Sequence, residues 1–155
     1  MKIHELLKRT FIAVILLLSF YACKKEEVAS NPIYGEWLHF YPWASTSTLK
    51  FRKDGKFESI VSVIDPTTKE IKGYLVRATG TFTLKSDSLY LQYTDQYSSV
   101  EPKPSVIELT HYSSQQKATY YTEFSENNTK LKLSYKCPDG ASCNGVSNLT
   151  YTRIK

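Results

Sequence analysis

The clearest secondary-structure signal in this chain is Lys130-Leu131-Lys132-Leu133-Ser134-Tyr135-Lys136. Apolar and polar side chains alternate along it, so one face of an extended strand carries Leu131, Leu133 and Tyr135, while the other carries lysine and serine. Antiparallel sheets with one face on a core and one face in water produce this alternation. The pattern therefore predicts a half-buried β-strand over residues 130–136.

Segments of the same kind recur through most of the chain. Turn residues separate them, most clearly Asp54-Gly55 and Lys85-Ser86-Asp87, which are typical of tight connections between antiparallel strands. Residues 94–104 are polar and contain proline, so we expect a loop there. The predicted strands cover residues 34–41, 48–51, 57–64, 71–84 with a bend at Gly80, 88–93, 106–111, 117–124, 130–136 and 149–154.

Short strands at nearly regular spacing indicate an all-β domain, either a sandwich or an antiparallel up-and-down β-barrel. No segment after residue 32 has a helical apolar period of any length. The interior of a small barrel either fills with side chains or encloses one small ligand, and the sequence leaves both alternatives open. Alternation places the following side chains inside: Phe57, Val61, Phe82, Leu84, Leu89, Leu91, Leu131 and Leu133.

Residues 1–22 have the features of a secretory signal peptide. Lys2, Lys8 and Arg9 make a basic start, and the apolar run over residues 11–20 is too short to span a bilayer comfortably. We expect this segment to be removed, which leaves one domain of a size that buries its own core.

The junction Ala22-Cys23 resembles the lipobox of bacterial lipoproteins. That resemblance implies that Cys23 is lipidated and anchors the chain to a membrane, with residues 23–32 as a flexible tether. Lys24-Lys25-Glu26-Glu27 also resembles the export tag of Bacteroidetes lipoproteins, which implies an outer membrane lipoprotein exposed at the cell surface. The alternatives are an ordinary signal peptide with Cys23 as a bystander, and a charged tether without an export role.

The order of several short pieces resembles the lipocalin-like lipoprotein domains of Bacteroidetes over residues 33–155. The resemblance implies a barrel of about eight to nine strands. In the wider lipocalin family, the Trp of the first strand plugs the closed end of the barrel and a late Arg stacks on it, so here Trp37 and Arg153 take these structural roles. The matching pieces are Gly35-Glu36-Trp37, Leu49-Lys50-Phe51, Asp54-Gly55-Lys56-Phe57, Gly80-Thr81-Phe82, Leu89-Tyr90-Leu91, Ile107-Glu108-Leu109-Thr110, Lys130-Leu131-Lys132-Leu133 and Tyr151-Thr152-Arg153-Ile154.

Two further cysteines, Cys137 and Cys143, flank a turn-rich segment. Outside the cytoplasm two nearby thiols favour a disulfide, here at the tip of a hairpin, although two reduced thiols are the alternative. A zinc site would need four ligands, and the sequence has no second cysteine pair or histidine cluster to supply them.

Charge and motif content predict a binding protein without catalysis. Part of the formal charge of +5 belongs to the signal peptide, and no basic cluster with stacking aromatic residues predicts nucleic-acid binding. His39 and His111 lack metal-ligand spacing, so we expect no metal and no cofactor. The carboxylates are scattered over different predicted strands, and an enzyme with two of them in the barrel mouth is the least favoured reading: Glu36, Glu58, Glu108 and Glu123.

The aromatic residues suggest what the domain binds. We expect a small apolar or amphipathic ligand in the barrel of a monomer, with Tyr41, Trp43, Tyr90 and Tyr93 as ligand-binding residues. The alternative is a filled barrel whose loop aromatics contact a partner protein or a glycan. Aromatic residues also favour strands for structural reasons alone. Other tyrosines that could join such a surface are Tyr97, Tyr112, Tyr120 and Tyr121.

Overall fold

Nine antiparallel strands make up most of the described chain, which in this computed structural model covers residues 31–112, 115–138 and 148–155. A short 3₁₀ helix, Val106–Glu108, lies between the fifth and sixth strands. Within these described ranges, no helix is both long enough and apolar enough to cross a membrane. The strands are β1 Gly35–Tyr41, β2 Ser45–Phe51, β3 Lys56–Ile64, β4 Ile71–Lys85, β5 Ser88–Lys103, β6 Thr110–Tyr112, β7 Lys117–Ser125, β8 Lys130–Tyr135 and β9 Leu149–Arg153.

The sheet closes on itself into a ring. Its strand order is β4-β3-β2-β1-β9-β8-β7-β5-β6, and a further pairing of β4 with β5 joins the two ends. Eight strands therefore form the ring, and β6 is a short addition paired only with the second half of β5. Neighbours in the ring follow chain order apart from β6. The predicted all-β, antiparallel up-and-down barrel of eight to nine strands is confirmed.

The predicted loop over residues 94–104 is wrong, because β5 continues through it to Lys103. The reason lies in the tertiary structure. β4 is a long strand, and the edge of its first half pairs with this part of β5: Val76 pairs with Ser98, and Tyr74 pairs with Lys103. The polar composition that suggested a loop belongs to a strand near the open end of the barrel.

The predicted strand over residues 106–111 is also wrong in its first half. The chain forms the 3₁₀ helix there, where the Ser105 hydroxyl caps the turn by accepting a hydrogen bond from the Ile107 amide at 3.3 Å. Only Thr110–Tyr112 pairs as a strand. The second predicted strand was too short, since β2 begins at Ser45 rather than residue 48.

Two glycines lie at the positions where the sequence predicted a turn and a bend. Gly55 has a φ of 78° in the turn between β2 and β3, a conformation that glycine adopts without steric cost. At Gly80 the register of β4 against β5 shifts, between Thr79 and Gly80, because β5 carries one extra residue there. The predicted bend of β4 at Gly80 stays a prediction.

The hydrophobic core fills the end of the barrel where β1 begins and β9 ends, which we call the closed end. Five of the eight predicted interior side chains are buried there: Phe57, Leu89, Leu91, Leu131 and Leu133. Phe82 and Leu84 pack against this cluster as partly buried residues. Val61 is outside the cluster, since it pairs with Ser47 and Val76 nearer the opposite, open end.

Candidate functional site

The closed end is sealed by residues that precede the first strand. Ile33 is fully buried, and the indole Nε1 of Trp37 donates a hydrogen bond to its carbonyl oxygen at 2.8 Å. The guanidinium of Arg153 lies over the Trp37 ring at 4.3 Å from the ring centroid. It also donates hydrogen bonds to the carbonyl oxygens of Tyr34 and Pro32. The structure therefore brings together the two residues that the lipocalin resemblance paired, and buried side chains pack at this end.

The open end is more polar than the closed end. Its inward positions carry hydroxyl and amide groups in addition to tyrosine rings. A cavity of about 320 Å³ lies there inside the barrel. We call it the tyrosine-lined cavity. Small side chains at Val76, Ala78 and Ala118 leave the space. The polar residues that line it are Ser59, Tyr93, Gln96, Tyr112, Gln116, Tyr120 and Tyr135, together with one cation, Lys117.

Strand register explains why these tyrosines meet. Tyr120 on β7 is the cross-strand partner of both Leu89 on β5 and Tyr135 on β8. Its side chain therefore projects to the same inward face as the side chains of those two residues. The Tyr120 and Tyr135 rings pack edge to face, with centroids 5.6 Å apart. Tyr93 faces Gly80 across the β4–β5 pair and packs edge-on against Phe57 at 5.3 Å. The apolar core thus forms the floor beneath the cavity.

Burial keeps the phenol groups neutral. Removal from water raises the pKa of Tyr93 well above its ordinary value, and the neighbouring Tyr120 phenol adds to this effect. Burial likewise raises the pKa of Tyr120 and of Tyr151, whose hydroxyl lies 3.3 Å from the Ser47 hydroxyl. Neutral hydroxyl groups both donate and accept hydrogen bonds, so the cavity wall offers both kinds of polar partner.

A column of aromatic rings runs from the rim of the open end into the barrel. Trp43, with 71 % of its surface exposed, stacks on Tyr41 with centroids 4.8 Å apart. Tyr41 packs edge-on against His39 at 4.6 Å, and His39 lies 5.5 Å from the buried Tyr151. His39 Nδ1 lies 2.8 Å from the carbonyl oxygen of Thr150, and because that oxygen only accepts, Nδ1 carries the proton.

The four residues predicted to bind ligand divide into three places. Tyr93 lines the cavity, while Tyr41 and Trp43 form the outer end of the rim column. Tyr90 lies on the outside of the barrel with 43 % of its surface exposed, because its neighbours Leu89 and Leu91 take the inward positions. The structure therefore separates Tyr90 from the cavity.

Sequence reasoning missed five polar cavity residues: Ser59, Gln96, Gln116, Lys117 and Tyr135. A signal for Tyr135 was present, because the alternation Leu131, Leu133, Tyr135 continues the inward face of β8. Gln96 carried no usable signal, since its segment was interpreted as a loop and the bulge in β5 changes the alternation before it.

The predicted carboxylates do not line the cavity. Glu36, Glu58 and Glu123 form ion pairs with Lys50, Arg77 and Lys132, with N–O distances of 2.5, 2.8 and 3.3 Å respectively. The hydrogen bond from Lys50 holds the pKa of Glu36 below its usual range. Glu108 is exposed in the 3₁₀ helix. Among the described residues, no three His, Cys, Asp or Glu side chains come together as a metal site would require.

Cys137 is disulfide-bonded, and its predicted partner Cys143 lies outside the described residues. The signal peptide, Cys23 and the export tag also lie outside them. Their predicted roles stay predictions.

Comparisons of this chain with protein-family models, with curated proteins and with solved structures found no match. The likeness to lipocalin-like lipoproteins therefore rests on the quoted sequence pieces, and the barrel geometry is compatible with it.

Proposed function

We propose that this chain is a lipid-anchored lipoprotein of the outer membrane, exposed at the cell surface, whose barrel binds a small amphipathic ligand without catalysing a reaction. The observation that carries the proposal is the tyrosine-lined cavity of about 320 Å³ at the open end of the barrel. Pockets for small ligands start at about 300 Å³, so the space suits a molecule of one or two rings.

The character of the ligand follows from the cavity wall. Tyrosine rings offer apolar faces for stacking and hydroxyl groups for hydrogen bonds, a combination that fits molecules with an apolar body and several polar substituents. Gln96 is a buried amide in this wall, with 6 % of its surface exposed, and it can orient such a substituent through both its donor and its acceptor groups.

Native mass spectrometry tests the proposal directly. Residues 28–155, which include the whole compact unit Asn31–Lys155, would be produced in the host organism behind a cleavable signal peptide and purified from its periplasm. We expect a co-purifying small molecule, displaced when the barrel is unfolded. A clean ligand-free mass, together with no uptake of apolar fluorescent probes, would contradict the proposal.

A pair of tyrosine variants places the ligand in the cavity. Tyr135→Phe removes one cavity hydroxyl with little change in volume, and we expect it to weaken ligand retention roughly fivefold to tenfold, as the loss of one hydrogen bond does. Tyr90→Phe is the matched control, because its hydroxyl lies outside the barrel. Equal retention in both variants would move the site away from the cavity.

Two variants test the predicted lipid anchor and the predicted export to the cell surface. Cys23→Ala should release the protein from membranes, and a variant that stays membrane-bound would refute lipidation at this residue. Replacement of Lys25, Glu26 and Glu27 by alanine should reduce cleavage by protease added to intact cells. Unchanged cleavage would refute the export role.

A second function is favoured by one observation. Phe40, near the end of β1, has 53 % of its surface exposed, and Trp43, just after β1, has 71 % exposed. The Trp43 ring stacks on Tyr41. Exposed loop aromatics of this kind often contact partners. If no small molecule is found in the barrel, we propose that this rim contacts a glycan or a partner protein, and Trp43→Ala should then abolish the contact.

A further inference from the structure

A second concave surface lies outside the barrel lumen, across the outer faces of β3, β4 and β5. Its volume is about 310 Å³, and it adjoins the turn between β2 and β3. We call it the outer groove. Its charged lining residues are Arg52, Lys56, Glu58 and Arg77.

The charge of the outer groove is positive. Three cationic side chains share it with one carboxylate, and Lys56 has no ionic partner among the described residues. Asp95 lies on the same outer side, as the cross-strand partner of Thr79, but it faces His111 on β6 at 3.5 Å and does not line the groove. A net charge of this sign attracts anionic groups.

Glu58 organises the two arginines. Arg77 donates from Nε to one carboxylate oxygen of Glu58 at 2.8 Å, and Arg52 Nη2 lies 3.9 Å from the other oxygen. The Glu58 side chain is 21 % exposed and that of Arg77 is 35 % exposed, so this pair is partly shielded from water. Arg77 uses only Nε in this bond, which leaves its two terminal nitrogens to face a ligand in a fixed fork.

A bulge in β5 adds hydroxyl groups beside the arginines. Thr79 pairs with Asp95 and Gly80 pairs with Tyr93, so Thr94 is an extra residue between two register positions. Its hydroxyl donates to the Thr79 carbonyl oxygen at 3.2 Å, and both residues line the groove together with Thr81. The Thr94 proton is committed to that bond, so the hydroxyls of Thr79 and Thr81 beside the guanidinium supply the donors that the remaining oxygens of an anion need.

We propose that the outer groove binds an oxyanion, namely a carboxylate, sulfate or phosphate group carried by an acidic sugar or a lipid headgroup. Arg77 supplies the fork, Lys56 and Arg52 supply further positive charge, and the threonines orient the anion. The proposal does not depend on a ligand in the tyrosine-lined cavity.

Nuclear magnetic resonance of the mature chain in uncharged micelles tests this inference. The probes are sodium glucuronate, galactose 6-sulfate and glycerol phosphate, each compared with sodium chloride at equal ionic strength. We expect saturable shifts of the Arg77 Nε–H signal and of the Thr79 and Thr81 backbone amide signals, with a dissociation constant of about 1–10 mM, as a few charge-assisted hydrogen bonds at an exposed site would give. The amide signals also report binding in a variant that lacks Arg77. A shift that sodium chloride reproduces would overturn the proposal.

Variants separate the groove from general surface charge. Lys56→Gln and Arg77→Gln should each weaken binding roughly tenfold. Lys56 forms no ion pair within residues 31–112, 115–138 and 148–155, so its variant tests the site even if Arg77→Gln disturbs the fold. Lys132→Gln, which removes an exposed lysine on β8 paired with Glu123, is the matched control and should bind as the parent does. Equal weakening in all three variants would show non-specific attraction and refute the site.

The relative affinities of the probes identify the source of the anion. Tighter binding of glucuronate or galactose 6-sulfate points to an acidic glycan, and tighter binding of glycerol phosphate points to a lipid headgroup. Absence of saturable binding for all three probes would contradict the proposal outright.

Discussion

Arg153 joins the chain's first described residues to its last strand. Its Nε donates to the Asn128 carbonyl oxygen at 2.9 Å, its terminal nitrogens donate to the segment before β1, and its guanidinium lies over the Trp37 ring. Three tasks therefore depend on one planar group with several donors. A lysine ammonium is compact and cannot satisfy separated carbonyl groups in this way.

We expect Arg153→Lys to lower the free energy of unfolding by about 2 kcal/mol, because the stacking on Trp37 and the charged hydrogen bonds each contribute on this scale. Urea denaturation followed by tryptophan fluorescence measures the change. Lys132→Gln is the control, and since Lys132 forms an exposed ion pair, its effect should stay below about 0.5 kcal/mol. An Arg153→Lys protein as stable as the parent would show that the closed end does not need the fork.

Within β4, Gly80 allows the backbone to approach both the core and β5 closely. A Cβ atom at this position would lie 2.1 Å from the Gln92 carbonyl oxygen and 2.7 Å from the Phe57 ring. The backbone of β5 supplies the first of these contacts, so it cannot move aside without disturbing the ladder. Close approach of the backbone, rather than an unusual φ, requires glycine here.

Gly80→Ala should therefore destabilise the protein by about 1–3 kcal/mol, the usual cost of inserting one methyl group into a packed site. Thr83→Ala on the exposed face of the same strand is the control and should change stability by less than about 0.5 kcal/mol. Thermal unfolding measured by circular dichroism compares the two. Equal stabilities would mean that β5 shifts easily at its bulge.

The elements also show where local sequence was a sufficient guide. β8 and the turn at Gly55 were predicted correctly, because alternation and turn chemistry act over a few residues. The second half of β5 was missed, because Ser98 and Lys103 are held by Val76 and Tyr74, which lie more than twenty positions away in the chain. The local sequence of β5 does not show that a strand distant in the chain has an edge available for pairing.

Over the whole molecule, three buried phenols couple stability to alkaline pH. The pKa of Tyr93, Tyr120 and Tyr151 is raised in the folded state by burial, whereas in the unfolded chain it returns to about 10. Above that value the unfolded chain binds fewer protons than the folded one, so the free energy of unfolding falls as pH rises. Below it these groups bind equal numbers of protons in both states and produce no slope.

We expect stability to be insensitive to these groups up to about pH 9 and then to fall by as much as 1.4 kcal/mol per pH unit for each buried tyrosine. Urea denaturation at several pH values, with tyrosinate absorbance as a second signal, measures this. Tyr93→Phe should reduce the slope, and Tyr90→Phe, at an exposed position, should reduce it less. The same slope in the Tyr93→Phe protein would contradict the assignment.

What the sequence by itself determined is the set of properties that local chemistry encodes. Strand alternation and turn residues predicted an all-β antiparallel domain, and the inward faces of β8 and of the first half of β5 followed from a period of two. The pairing of Trp37 with Arg153 came from the family resemblance.

Only the tertiary structure decided that the closed end is filled and the open end holds a cavity. Whether space remains depends on how side chains from strands β3 to β8 meet: the rings of Tyr93, Tyr120 and Tyr135 share the cavity with small residues at Ala78 and Val76. The outer groove likewise joins residues from separate strands beside a bulge in β5, and no local sequence pattern predicts that bulge. Packing depends on distances between segments remote in sequence, and these distances exist only once the ring has closed.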